Sequence, residues 1–216
     1  MKGNSERVYN KNLKLFAGKP LYHRITKTLL KSNYISKIIV NTDSNKIIND
    51  INISFDNKIT INKRPNKIIG DYVSMNDIIK YDISCFDSNI YIQTHSTNPM
   101  LKVETIDKAI KKMIYFEKSK KYDSIFSVSE IKKRFYSKDA KPLNHDPYML
   151  VTQHLEPIYE ENSSFYLFSK DSFTANNNNR IGIKPFMYEI NKSEAVDIDY
   201  PEDFVIAEGL YNILRK

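Results

Sequence analysis

A chain of 216 residues, 41% of them hydrophobic, is long enough for one domain with a single core and too apolar to be disordered. Its one cysteine, Cys85, excludes an internal disulfide and fits a reducing compartment, and no apolar run approaches the roughly 20 residues that span a bilayer. The formal net charge of +7 is spread along the chain rather than gathered in one stripe, which speaks for a lysine-rich surface and against nucleic-acid binding.

Taken in chain order, residues 1–12 read MKGNSERVYNKN. Gly3, Asn4 and Ser5 can turn backbone N–H groups toward phosphate oxygens, with Lys2, Arg7 and Lys11 supplying charge; a frayed polar terminus is the other reading. No charged-then-apolar leader opens the chain, so a cytoplasmic protein is expected. Ile38, Ile39 and Val40 predict a buried strand running into Asp43 and Ser44, and Ile59, Thr60 and Ile61 predict a second. Ser74, with Asp77 three residues on, predicts an N-cap for a helix through Ile78 and Ile79. Ile90, Tyr91 and Ile92 predict a third strand ending at Gln93 and Thr94, and residues 124–128 a fourth. Between these, Ile106, Ala109, Ile110 and Met113 recur with the period of one helix face.

Residues 134–157 break this rhythm and predict an excursion from the core: a dimer arm, a lid, or a long ordinary loop. Further strands are expected at residues 165–168, 187–190 and 195–198, with a turn at the asparagine run 176–179. Pro201, Glu202 and Asp203 predict the start of a last helix, with proline in the first turn and acids at the positive dipole end.

Strands alternating with helices predict a single α/β domain over residues 1–216, a mostly parallel sheet flanked by helices. In such a sheet ligands gather at the carboxyl ends of strands, here Asp43–Ser44, Gln93–Thr94 and the segment from Asp197 to Asp199. On a strand, Asp197 and Asp199 point to one face, and two carboxylates on one face suit Mg²⁺, though surface strands carry such pairs without a metal. Cys85 reads as a small core residue and His95 as a structural or solvent-facing one.

Five segments in order resemble the acylneuraminate cytidylyltransferase family, the CMP-sialic acid synthetases and their relatives. They are the opening loop through Lys2, Ser5, Lys11 and Asn12; Arg64–Pro65 followed by Gly70, Asp71 and Ser74; Gln93 followed by Pro99 and Leu101; Asn162 to Tyr166; and Asp197, Asp199, Asp203 and Phe204. The resemblance covers nearly the whole chain. It implies a Rossmann-like nucleotidyltransferase fold and transfer of CMP from CTP to an acidic sugar with release of pyrophosphate, for glycan synthesis. It implies Lys2, Ser5 and Lys11 on the triphosphate, and Asn12, Arg64, Ser74 and Gln93 on the nucleotide. It further implies Asn162 on the sugar, Asp197 and Asp199 on Mg²⁺, Lys11 and Asp199 as the catalytic pair, and a homodimer. An inactive family member acting as a binding protein, or a relative using another base or sugar, are the alternatives.

Three departures from that pattern stand out. The hydrophobic strand that precedes the signature loop in the family, expected at the centre of the sheet, has no counterpart before Met1. Its loss predicts unpaired backbone on two neighbours, at roughly 1–3 kcal/mol per buried group. Tyr9 stands where the family has proline, leaving the loop less preorganised. Glu160 and Glu161 occupy the stretch where sialic acid enzymes carry an arginine, which speaks against sialic acid itself and leaves a related nonulosonic acid or another sugar acid as substrate.

Overall fold

The computed structural model describes residues 1–3, 5, 7–148 and 151–214. After the opening loop come a hairpin of β1 (Leu15–Phe16) and β2 (Lys19–Pro20), then α1 (Tyr22–Leu30), β3 (Ile38–Thr42), α2 (Asn45–Ser54), β4 (Ile59–Lys63) and α3 (Met75–Cys85). The second half runs β5 (Tyr91–Thr94), α4 (Val103–Ser119), β6 (Ser124–Ile131), β7 (Ile158–Phe168), α5 (Lys170–Ala175), β8 (Pro185–Glu189) and α6 (Pro201–Leu214). The Ser74 cap forms as its sequence predicts: its hydroxyl accepts from the Asp77 N–H at 3.1 Å and starts α3.

The α/β class holds, but the sheet is mixed rather than mostly parallel. β3 and β4 pair in parallel as a two-stranded sheet, and a second sheet has the order β5-β7-β6-β8. In the second sheet β7 runs antiparallel to both β5 and β6, and only β6 and β8 are parallel. The reason is the excursion: β6 runs on to Ile131 and the chain returns along it from Ile158, so the two strands make one long ribbon, antiparallel by construction. Residues 132–148 lie at its far end, with Tyr136, Leu143 and Tyr148 exposed; Met149 and Leu150 lie outside the described residues.

Among the described residues no strand bridges β3 to β5, so the sheet is divided where a first central strand was expected. The Met1 ammonium donates to the Asn41 carbonyl at the end of β3.

The second sheet is covered on both faces, and β7 shows why. Phe165 and Leu167 face α4, packing with Ile106, Ala109, Ile110 and Met113. Tyr166 and Phe168 point the other way, onto Ile79 and Ile83 of α3 and Phe173 of α5. The first sheet is closed by Tyr22 of α1 and by Ile47 and Ile51 of α2 against Ile38, Val40 and Ile59. A third cluster joins Val8 and Phe16 to Ile198 and to Phe204 and Ala207 of α6, and it clamps the opening loop against the chain just before α6.

Two expectations are corrected. Residues 195–198 are extended but form no strand. Their backbone bonds singly to the loop after β5, Ile198 N–H to Thr97 O at 3.2 Å and Val196 O to the Asn98 side chain at 3.4 Å, instead of to a ladder. Cys85 is exposed at the end of α3, not in the core. Among the described residues no helix is long and apolar enough to cross a membrane.

Candidate active site

The opening loop is held over the ends of β3, β5 and the segment leading into α6 by side chains far apart in sequence. The Gly3 N–H donates to the Asp43 carboxylate at 2.7 Å, and a Cβ at Gly3 would lie 2.9 Å from the Ser44 Cβ, so only glycine lets the loop approach so closely. Lys2 pairs with Asp71 at 2.9 Å. Asn12 is buried; its amide donates to Lys2 O at 2.9 Å and its oxygen accepts from Ser96 at 2.6 Å, tying the loop to the turn after β5. Ser5 is half-buried in the same loop, and Asn4 lies outside the described residues.

Packing of Val8 against Ile198 brings the loop's cations to the acidic segment. Lys11 Nζ donates to the Ile198 carbonyl at 2.6 Å and stands 3.4 Å from Asp199, with its side chain only 14% exposed. Arg7 reaches the same carboxylate at 3.2 Å and lies over the Tyr200 ring. Asp203 caps this turn, its carboxylate accepting from the N–H groups of Asp199 and Tyr200 at 3.0 and 2.8 Å. The surface of Asp197 is open to solvent. Desolvation by the surrounding protein, with the charge of Asp199 added, still pushes its carboxyl above the ordinary range.

Because residues 195–198 form no strand, the alternation that would put Asp197 and Asp199 on one face does not apply. What remains is a pair of carboxylates in which the charge of Asp199 helps raise the pKa of Asp197, a donor set of the kind a hard divalent cation accepts. Among the described residues no group of three or more His, Cys, Asp or Glu side chains is placed to hold a metal; Mg²⁺ characteristically takes only one or two carboxylates and keeps several waters.

Arg64 is 5% exposed and donates through Nε to the Asn41 side chain at 2.7 Å. Behind it Asp82 accepts from the amides of Asn41 and Asn62 at 2.7 and 2.6 Å. Burial raises the Asp82 pKa and lowers that of Arg64, the expected signs for charges taken out of water. Ser74 is exposed at the start of α3, three residues beyond the Asp71 that pairs with Lys2.

Gln93 and Asn162 lie on the β5-β7-β6 part of the second sheet, in two separate hydrogen-bonded groups. The Gln93 oxygen accepts from Arg180 at 2.8 Å. The Asn162 oxygen accepts from Ser127 at 2.6 Å and its amide donates to Ser129 at 3.0 Å, which satisfies the bulge between Phe126 and Val128. Of the expected site residues, Lys2, Ser5, Lys11, Asn12, Asp197 and Asp199 are therefore gathered in or around the loop, Arg64 is bonded to Asn41 two residues before Asp43, and Ser74, Gln93 and Asn162 stand in three separate places. Sequence reading missed Asp43 as the loop's anchor and missed Arg180 altogether; of these, Asp43 carried a readable signal, an acid directly after a predicted strand.

His95, next to Ser96, has a buried Nε2 without a hydrogen-bond partner. Burial, with the positive charges of Arg180 and Lys11 added, lowers its pKa from 6.5 to about 4. The folded chain thus binds this proton more weakly than the unfolded chain, and the contribution to stability is complete above 6.5 and is lost as pH falls toward 4. Between pH 7 and 5 the loss from this one group is roughly 2 kcal/mol. Denaturant unfolding of His95→Asn at both pH values is expected to show a correspondingly smaller decline; a decline equal to that of the wild type would remove His95 as its source.

Comparison with known proteins agrees with this geometry. The family model described as cytidylyltransferase matches residues 1–214. The chain is 23% identical over 230 residues to a pseudaminic acid cytidylyltransferase of Campylobacter jejuni, covering 98% of this chain and 94% of the relative. It is 26% identical over 235 residues to a CMP-N,N'-diacetyllegionaminic acid synthase of Legionella pneumophila, covering 100% and 95%. Among solved structures, a CMP:2-keto-3-deoxy-manno-octonic acid synthetase complexed with CTP superposes with a TM-score of 0.70 at 14% identity, over 99% of this chain and 96% of that one. The fold is therefore that of the nucleotidyltransferases, and the chain belongs to the cytidylyltransferase family.

Proposed function

We propose that this cytidylyltransferase joins CMP to a nonulosonic acid, a sialic-acid-like sugar: the anomeric hydroxyl gives up its proton to solvent and attacks the α-phosphorus of CTP, the bond from that phosphorus to the bridging oxygen breaks, and pyrophosphate leaves. The observation that carries this reading is the meeting of Lys11 and Arg7 on Asp199, at 3.4 and 3.2 Å, beneath a loop closed by Gly3. Such a site supplies what phosphoryl-type transfer needs, alignment and cancellation of charge. The names of relatives that span nearly the whole chain favour nonulosonic acids as acceptors.

In this reading Lys2, Ser5 and Lys11 hold the triphosphate. Asn12 orders the loop around it, as its bonds to Lys2 and Ser96 suit. Arg64, Ser74 and Gln93 serve the nucleotide, and Asn162 lies on the sugar side. Asp197 and Asp199 would hold Mg²⁺, which when bound supplies positive charge to the phosphate oxygens. The excursion, with Tyr136, Leu143 and Tyr148 exposed, is the arm through which we propose two copies pair.

Pyrophosphate release tests the reading. CTP, UTP, ATP and GTP are each offered with Mg²⁺ and with pseudaminic acid, N,N'-diacetyllegionaminic acid, N-acetylneuraminic acid or 3-deoxy-manno-octulosonate. Release with CTP and one of the first three acids is expected. Release only with another triphosphate, or none from folded protein, overturns the proposal.

A further inference from the structure

Arg180 lies in the loop after α5, apart from the cations of the opening loop. Its guanidinium stacks 3.7 Å over the Tyr166 ring, donates to Gln93 Oε1 at 2.8 Å and to the Tyr166 hydroxyl at 3.0 Å, and its side chain is 17% exposed. Both hydrogen-bond acceptors are neutral. The nearby carboxylate, Glu161, stands 4.0 Å away, beyond hydrogen-bond reach, and accepts instead from the Tyr166 hydroxyl. Two of the five N–H donors of the guanidinium are thus used. Taking a cation largely out of water without a bonded counter-charge is costly, and so is freezing a long side chain.

The loop is built to hold it there. Asn177 and Asn178 take left-handed backbone conformations, with φ of 52° and 59°, which asparagine tolerates. The Asn176 amide donates to Ile181 O at 2.8 Å, the Asn179 side chain accepts from the Ile181 N–H at 3.0 Å, and the Arg180 N–H reaches Asn76 at the start of α3. Ile181 then packs into the cluster of Tyr166, Phe168 and Phe173. The cation is therefore fixed in place on a rigid element. It is also tied to the segment that meets the opening loop: its acceptor Gln93 lies at the end of β5, three residues before Ser96, whose hydroxyl donates to Asn12 at 2.6 Å.

We propose that Arg180 binds the carboxylate of the acidic sugar, and so selects acids over neutral sugars; this rests on the transfer reaction proposed above. A guanidinium presents a fork of donors that matches a carboxylate in two parallel bonds. The cations that suit a polyphosphate, Lys2, Arg7 and Lys11, sit on the opening loop instead, while Arg180 shares its cluster with Glu161. A neighbouring acid weakens the local positive field, which suits a single negative charge better than a triphosphate.

The test compares pseudaminic acid and N,N'-diacetyllegionaminic acid with their C1 carboxamides, by calorimetric binding to the CTP-loaded chain and by pyrophosphate release. The wild type is expected to prefer the acid over the amide by roughly 10–100-fold, the range for bonds to a charged group. Arg180→Met is expected to lose that preference, with affinity for the acid reduced by the same factor and affinity for CTP reduced by a smaller one, since Gln93 loses its bond to Arg180; Arg180→Lys should recover part of both. A thermal melt within a few degrees of the wild type certifies that each variant is folded. A wild type that treats acid and amide alike overturns the inference without any variant. So does an Arg180→Met chain that keeps the preference, or one that loses CTP binding while Arg180→Lys keeps both. Wild-type turnover in any of these cases leaves the transfer reading standing, whereas failure of the wild type to bind any sugar acid overturns both.

Discussion

Asp199→Asn is expected to lower pyrophosphate release by about 10³-fold or more while leaving the fold intact. The substitution keeps the side chain's size and removes its charge. That charge is where Lys11 and Arg7 meet and, in the proposed reaction, half of the Mg²⁺ site. Loss of a metal's positive charge from the phosphate oxygens forfeits several kcal/mol in the transition state, and about 1.4 kcal/mol corresponds to each tenfold in rate. Stability should scarcely move, because the Asp199 side chain is 41% exposed and ion pairs of such exposure add little. The Asp203 cap bonds to the backbone N–H of residue 199, not to its side chain, and survives the change. The measurement is kcat across a Mg²⁺ titration beside a thermal melt. A melting temperature within about 3 °C of the wild type with activity lost is the expected pair. Activity within tenfold of the wild type would remove Asp199 from the reaction.

Why some of this was readable from the sequence and some was not follows from where each signal resides. The runs at Ile38, Ile59, Ile90 and Ser124 became strands because β-branched residues covered on both faces leave a local signature. The same reasoning failed at residues 195–198, which have a similar pattern but spend their backbone bonds on the loop at Thr97 and Asn98. α2 was not foreseen, since its sequence NKIINDINIS mixes asparagine and β-branched residues, poor helix formers, and only Ile47 and Ile51 are buried. The antiparallel course of β7 depends on a ribbon whose two halves are separated by the excursion, so no local window contains it. The site divides in the same way. Its residue types could be named by resemblance, but the contacts that assemble it span 69 residues from Lys2 to Asp71 and 188 from Lys11 to Asp199. Arg180 was hidden for a local reason: an asparagine run reads as a turn, which it is, and the partner that gives the arginine meaning, Gln93, is 87 residues away.

Lys11→Met is expected to lower kcat/KM for CTP by about 10²–10³-fold, the loss typical of removing one positioned charge from developing negative oxygens. The lysine is held in position for this role. Its amine donates to the Ile198 carbonyl at 2.6 Å, and Ile198 is anchored in the cluster with Val8 and Phe204. Methionine keeps the apolar stem and removes the charge, so the loop's packing against α6 should survive. A second consequence separates a phosphate-binding lysine from one that merely braces the loop. Lys11 competes for the Asp199 carboxylate, standing 3.4 Å from it. Its removal should let a divalent cation bind the pair of carboxylates more tightly, on the order of tenfold for a unit charge and a dication a few ångströms apart in a wet site. Mn²⁺ titration of the chain without nucleotide, followed by electron paramagnetic resonance, reads this directly. Lower turnover together with a lower Mn²⁺ midpoint identifies Lys11 as a charge shared between phosphate and metal. Lower turnover with an unchanged midpoint would place the metal elsewhere than Asp199, and unchanged turnover would leave Lys11 as a brace alone.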